Sequence, residues 1–236
     1  MTPIDQFYRQ VAEIPGAISM TEAVALYNAI VAYSPGIGIA VDLGSNTGKS
    51  SLVAARALCH SRFDGRFYMV DLAYDLSNPE WSKTVQGDSA KMPWPQLRDA
   101  EYLKSIKERM AEYVDAELVG QSSIQFIPRM ETFAGYVFID TDDHQKELVM
   151  EEARLLENRT APGGLIFFHD FKNQYTGPAL AHQYLLDTGK FENIEMPWDQ
   201  AIEYVKKRGL EEGNDSWHMS GSGIEFPNFI GCVRAL

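Results

Sequence analysis

Basic residues are in the minority. Lys and Arg number 21 against 33 Asp and Glu, for a formal net charge of −12. Proteins that bind phosphate backbones without sequence preference show a basic face, and none is visible, so nucleic acid is not an expected partner. Cysteine is scarce: Cys59 and Cys232 lie far apart and in no CxxC arrangement. That removes a disulfide framework and a cysteine zinc site, and it suits a reducing compartment. No stretch approaches the ~18–20 apolar residues that span a bilayer, so no membrane is expected as a partner. Met1-Thr2-Pro3-Ile4-Asp5 has neither the basic nor the apolar region of a signal peptide. The expectation is a soluble, cytoplasmic protein. Internal repeats and low-complexity tracts are also missing.

The remaining composition is that of an ordinary globular chain. Over 236 residues, 45% are hydrophobic and 23% charged, which excludes wholesale disorder. The length suits one large domain, or at most two small ones. A chain of this size buries roughly 70% of its unfolded surface and needs no disulfide or metal to fold.

Ser19-Met20-Thr21-Glu22 reads as a capping box, followed by a helical stripe that stops at Ser34-Pro35-Gly36. Ile37–Leu43 is an apolar run, Gly44–Gly48 a loop and Lys49–Leu58 a small-residue helix: the start of a βαβ unit. Phe67–Val70 is a second strand, ending at Asp71. Leu97–Leu118 is expected to be one helix, Ser123–Ile127 a third strand and Tyr136–Ile139 a fourth. A helix near Gln145–Asn158 follows, then a turn at Ala161–Gly164 and a fifth strand at Leu165–Phe168. A helix at Pro178–Leu186, a strand at Asn193–Met196 and a last strand at Phe229–Val233 complete the order.

The alternation implies a doubly wound, mostly parallel α/β sheet covered on both faces. It forms a single domain over residues 1–236. Residues 1–36 make an N-terminal helical cap, and 72–95 and 199–226 are lid-like insertions. Asp42, Asp71, Asp140 and His169-Asp170 then end four strands along one edge, the carboxyl edge where open α/β sheets bind ligands.

Three readings compete for the glycine loop. Gly48-Lys49-Ser50 copies the end of a P-loop, but only three residues separate Gly44 from Gly48 where four are needed. A dinucleotide fingerprint needs glycine where Asn46 stands. S-adenosylmethionine needs no phosphate cradle. For that cofactor Asp42 can receive the ammonium group, and the Gly44–Gly48 turn lets backbone approach the methionine portion. Asp71 can hold both ribose hydroxyls.

Val41–Leu52 resembles motif I of class I S-adenosylmethionine-dependent methyltransferases. Val137-Phe138-Ile139-Asp140 with His144 resembles their "FID…H" segment, and Ala161–Asp170 their "PGG…HD" segment. The set is most similar to small-molecule O-methyltransferases, including macrocin-type sugar O-methyltransferases and cephalosporin-biosynthesis relatives. The resemblance implies a seven-stranded Rossmann-like sheet. It also implies that Asp42, Gly44, Ser45, Asn46, Gly48 and Ser50 line the methionine end of the cofactor, that Asp71 binds ribose and that Met130 contacts adenine. A homodimer is common among the proteins it resembles.

Methyl transfer is an in-line displacement that requires alignment, exclusion of water and an outlet for the nucleophile's proton. Asp140 would face the cationic cofactor. With Asp170 it could share Mg²⁺, with Asp142, Asp143 or Asn173 completing an oxygen shell. His144 is the first candidate base and His169 the second. His144 stands four residues after Asp140, where relatives place a histidine three after. Tyr74, Trp81, Trp94, Tyr175, Trp198 and Trp217 are candidates for an acceptor pocket suited to a phenol, polyketide or glycoside, and Arg129 and Lys172 could hold an acceptor carboxylate. The expected function is therefore methyl transfer to a small-molecule hydroxyl. The alternatives are a non-catalytic S-adenosylmethionine-binding accessory protein and an N-methyltransferase; the latter's Asn/Asp-Pro-Pro-aromatic segment does not follow the fourth strand.

Overall fold

The computed structural model describes residues 2–14, 16, 18–77, 100–141, 146–171, 176–210 and 230–236. Two helices, α1 (Pro3–Ala12) and α2 (Met20–Tyr33), precede the first strand, β1 (Ile39–Leu43). Next come α3 (Lys49–His60), β2 (Arg66–Val70), α4 (Ala100–Met110), β3 (Asp115–Val119), the single turn α5 (Ser123–Phe126) and β4 (Ala134–Ile139). The chain continues through α6 (Lys146–Leu156), β5 (Thr160–Phe168), α7 (Thr176–Asp187), β6 (Phe191–Ile194), α8 (Trp198–Arg208) and β7 (Gly231–Ala235).

The seven strands form one sheet in the order β3-β2-β1-β4-β5-β7-β6. The first five are parallel, and β7 lies antiparallel between β5 and β6. Every residue of β1 and β4 is buried, because helices cover both sides and each face of the pleat needs apolar cover. Ala40, Phe67, Met69, Tyr136, Phe138 and Phe167 pack on the face under α2, α3 and α4. Val41, Leu43, Val137, Ile139, Ile166 and Phe168 pack on the face under α6 and α7. The strand order reverses between β1 and β4, which are parallel neighbours, so the carboxyl ends of these strands border the crevice where such sheets take ligands.

Four local expectations need correction. The 97–118 region is not one helix: α4 ends at Met110, and Asp115–Val119 is a strand paired in parallel with β2. Its alternation of exposed Asp115 and Glu117 with buried Ala116 was masked by the helical stripe just before it. Ser123–Ile127 is not a strand but α5 and the start of a 3₁₀ turn, Ile127–Arg129, that contains Pro128. Ala161–Gly164 is not a separate turn but part of β5, at a register shift against β4. Residues 199–208 of the expected second lid belong to α8, which buries Ala201 and Val205 against the body; 211–226 and most of 72–95 lie outside the described residues. Among the described residues, no helix is long and apolar enough to cross a membrane.

Candidate active site

The glycine loop is pressed onto the end of β4. Gly44 has φ +81, and a Cβ built there would lie 2.1 Å from the Asp140 carbonyl oxygen. Asn46 takes a left-handed φ of 45, and its N–H donates to Asp71 Oδ2 at 2.9 Å. Asp71 Oδ1 accepts from Ala73 N–H at 2.8 Å. Asp71 therefore ties the loop to the end of β2. A carboxylate offers about four lone-pair sites on two oxygens, the acceptor geometry that suits a diol.

Tyr74 acts from beneath. Its hydroxyl donates to the Asn46 carbonyl at 2.7 Å and accepts from Ser45 Oγ at 3.1 Å. It is buried, so it is a strut of the loop and not the acceptor-facing aromatic expected from sequence. Lys49, the residue that suggested a P-loop, is buried as well. A Cβ at Gly16 would lie 3.0 Å from Lys49 Cβ, so the segment before α2 covers this side chain.

Asp42 is fully buried at the end of β1. Its Oδ2 accepts from Ser50 Oγ at 2.8 Å and Ser51 Oγ at 2.5 Å, so the Ser50 hydroxyl is committed to Asp42. Asp42 Oδ1 is buried and makes no hydrogen bond among the described residues. Burial pushes this carboxyl up to about 7; the two serines oppose the shift, while Asp140 and Asp71 add to it.

Across the crevice, Asp140 follows β4, and His169 and Asp170 follow β5. His169 Nδ1 lies 2.9 Å from Asp140 Oδ1 and 3.7 Å from Asp170 Oδ2. Its Nε2 lies 3.5 Å from Glu22 Oε1. Glu22 serves two partners, because its Oε2 also accepts Ser19 N–H at 2.7 Å to close the capping box of α2. Burial alone would lower the His169 pKa, but Asp140 and Glu22 outweigh it and hold the value well above the ordinary one. Asp140, His169 and Asp170 offer ligand atoms all within 4.8 Å of one another. Two carboxylates and an imidazole are a donor set that can hold a divalent cation.

His144, Asp142, Asp143, Asn173, Lys172, Tyr175, Trp81, Trp94 and Trp217 lie outside the described residues. Met130 does not reach the crevice. It is buried against the α6 face, and its carbonyl accepts from Arg159, the residue before β5 begins, so it stands toward the opposite, amino edge. Arg129 is its exposed neighbour. The expectation for Met130 followed from placing the third strand at 123–127. With β3 at 115–119, the loop at the carboxyl edge is 120–122, and the strand end before it is tied to the Asp71 segment: Asp71 N–H donates to the Val119 carbonyl at 3.0 Å. A Cβ at Gly120 would lie 2.7 Å from the Asp75 nitrogen. The signal that could have located this loop was the short alternation ending in Gly120.

A cavity of about 680 Å³ opens nearby. Phe171, next to Asp170 in the chain, forms one wall, with Tyr33, Met196 and Trp198; Glu195 and Asp199 also line it.

Residues 41–171, more than half the chain, match a family described as a methyltransferase domain. No curated protein matches the chain by sequence. Among solved structures, an rRNA methylase from Streptococcus thermophilus is 10% identical, covering 94% of this chain and 99% of that one at a TM-score of 0.52. An O-methyltransferase from Bacillus cereus, solved in complex with S-adenosylhomocysteine, is 16% identical, with 82% and 84% covered and a TM-score of 0.52. The O-methyltransferase TomG from Streptomyces achromogenes, involved in tomaymycin synthesis and solved with S-adenosylmethionine, is 16% identical, with 80% and 78% covered and a TM-score of 0.51. At these identities the likeness is one of fold, the Rossmann-like sheet of class I methyltransferases. On the match over 41–171, the chain belongs to the methyltransferase-domain family.

Proposed function

We propose that this chain transfers the methyl group of S-adenosylmethionine to a hydroxyl of a small molecule. The observation that carries the reading is the glycine loop, fixed between Asp71 and the end of β4 and facing the Asp140–His169–Asp170 cluster. S-adenosylmethionine supplies a methyl group on a positively charged sulfur. Asp71 would hold the ribose diol with its two acceptor oxygens, and the loop backbone would lie along the methionine portion. Asp42 and Asp140 give this end of the crevice the negative charge that a cationic ligand needs. Its relatives in the fold, one solved with S-adenosylmethionine and one with S-adenosylhomocysteine, support the choice of cofactor.

Asp140 and Asp170 fit a divalent cation such as Mg²⁺, which would lower the pKa of a coordinated hydroxyl. His169 has carboxylates at both ring nitrogens and is buried. We assign it the part of orienting Asp140, which leaves His144 as the first candidate for the proton. The cavity beside Phe171 lies within the usual ~300–1,000 Å³ range of small-molecule sites, and its aromatic walls suit a flat or glycosidic acceptor. The net charge of −12 favours a small molecule over RNA.

The test is turnover. Purified protein, S-adenosylmethionine and a panel of phenols, polyketides and glycosides should release S-adenosylhomocysteine and an O-methyl product by mass spectrometry, and EDTA should suppress release. Turnover confined to amines would contradict the hydroxyl reading. Cofactor binding without turnover on any acceptor would point to an accessory protein.

A further inference from the structure

Glu152 is a fully buried carboxylate in the middle of α6. The other buried positions of that helix, Val149, Ala153 and Leu156, are apolar, so packing alone does not call for an acid. Burying a carboxylate is unfavourable unless hydrogen bonds compensate it. Here one oxygen accepts from Ser123 Oγ, and the other accepts from Thr141 Oγ1 at 3.1 Å.

The origins of these two hydroxyls give the arrangement its meaning. Ser123 opens α5 directly after the loop that leaves β3, and Thr141 directly follows Asp140 at the end of β4. In the sheet these strands are separated by β2 and β1. The two loops thus stand on opposite sides of the crevice floored by the glycine loop and Asp71, and they meet at one side chain behind it. A ligand with its ribose at Asp71 would extend its base toward the gap between them.

We propose that Glu152 is a positioning residue that sets the spacing of these two walls and so the fit of the purine base. The proposal rests on the S-adenosylmethionine reading above. It assigns Glu152 no contact with the cofactor. Its effect passes through Ser123 and Thr141, and removing either tether should loosen the grip on the base alone.

The test compares S-adenosylhomocysteine with S-inosylhomocysteine, which differ only at the purine edge, a 6-amino donor beside an accepting N1 against a 6-oxo acceptor beside an N1–H, by calorimetry on the full chain. Wild-type protein should prefer the adenine form by about 10–100-fold, the range that one or two specific hydrogen bonds provide. Ser123→Ala, Thr141→Val and the shape-preserving Glu152→Gln should each reduce that preference by about threefold or more, with the circular-dichroism spectrum unchanged. Thermal stability is recorded beside it, since a purely structural role would lower the melting temperature and leave the preference intact. That outcome in all three variants would overturn the proposal. Failure of the wild type to bind either compound would overturn the cofactor reading and this proposal with it; an unchanged preference with normal binding would overturn this proposal alone.

Discussion

Gly44→Ala should abolish S-adenosylhomocysteine binding and destabilise the fold by about 3 kcal/mol or more, read by calorimetry and urea unfolding. Two costs add at this position. The left-handed conformation costs an L-residue roughly 1–2 kcal/mol, and here φ is +81. The new Cβ would also lie 2.1 Å from the Asp140 carbonyl oxygen. That oxygen is backbone, fixed by the bond from Asp140 N–H to the Leu43 carbonyl at 2.9 Å, so the loop and not the strand end must move. Moving the loop breaks the Asn46–Asp71 bond that shapes the crevice. Gly48→Ala provides the contrast. Its φ of +79 imposes the same conformational cost, but its Cβ would meet Ile106 Cγ2 at 3.0 Å and Met69 Cε at 3.1 Å. Those are side-chain ends that can yield, so the loss should be smaller. Equal losses in the two variants would show that the approach to Asp140 does not matter.

Asp42→Asn should separate stability from binding. The folded pKa of Asp42, about 7, lies above its ordinary value of 3.8. For a raised carboxyl, the associated stability is fully present below the unfolded value and is lost as pH rises through the folded one. The loss therefore falls between about pH 4 and pH 8 and amounts to roughly 4 kcal/mol at most, taking 1.36 kcal/mol per pKa unit. Asparagine carries no such dependence. Unfolding of the cofactor-free proteins should show wild type losing stability relative to Asp42→Asn across that window, with the variant gaining at pH 8. Cofactor affinity should move the opposite way. A cationic ligand would lower the Asp42 pKa, so S-adenosylmethionine binding near pH 7 should release protons in the wild type and not in the variant. Calorimetry in buffers of different ionisation enthalpy measures this directly. A stability difference that does not change with pH would show that Asp42 is not held near neutrality by burial.

The central fold was legible because its signals are dense. An apolar run, an acid, a glycine turn and a small-residue helix admit few arrangements, and the strand-end acids Asp42, Asp71 and Asp140 followed from the runs before them. The Ser19–Glu22 box was legible as a helix start, but nothing local indicated that Glu22 would also face His169, a contact made across the fold between α2 and the end of β5. Periodicity failed where elements are short and adjacent. β3 follows α4 after four residues, and only its alternation separates it from the helix; missing it displaced the adenine expectation onto Met130. Glu152 gave no signal, because its position reads as one more charge on an amphipathic helix. Its burial depends on two loops arriving from β3 and β4, a fact of topology and not of pattern.

The most direct measurement is calorimetric titration of the wild-type chain with S-adenosylhomocysteine, beside parallel titrations with ATP and NAD. Binding of S-adenosylhomocysteine at a single site, lost in Gly44→Ala and absent for the two nucleotides, is the predicted result. Heat from ATP or NAD with none from S-adenosylhomocysteine would contradict it, and would mean that the loop between Gly44 and Gly48 serves a different ligand.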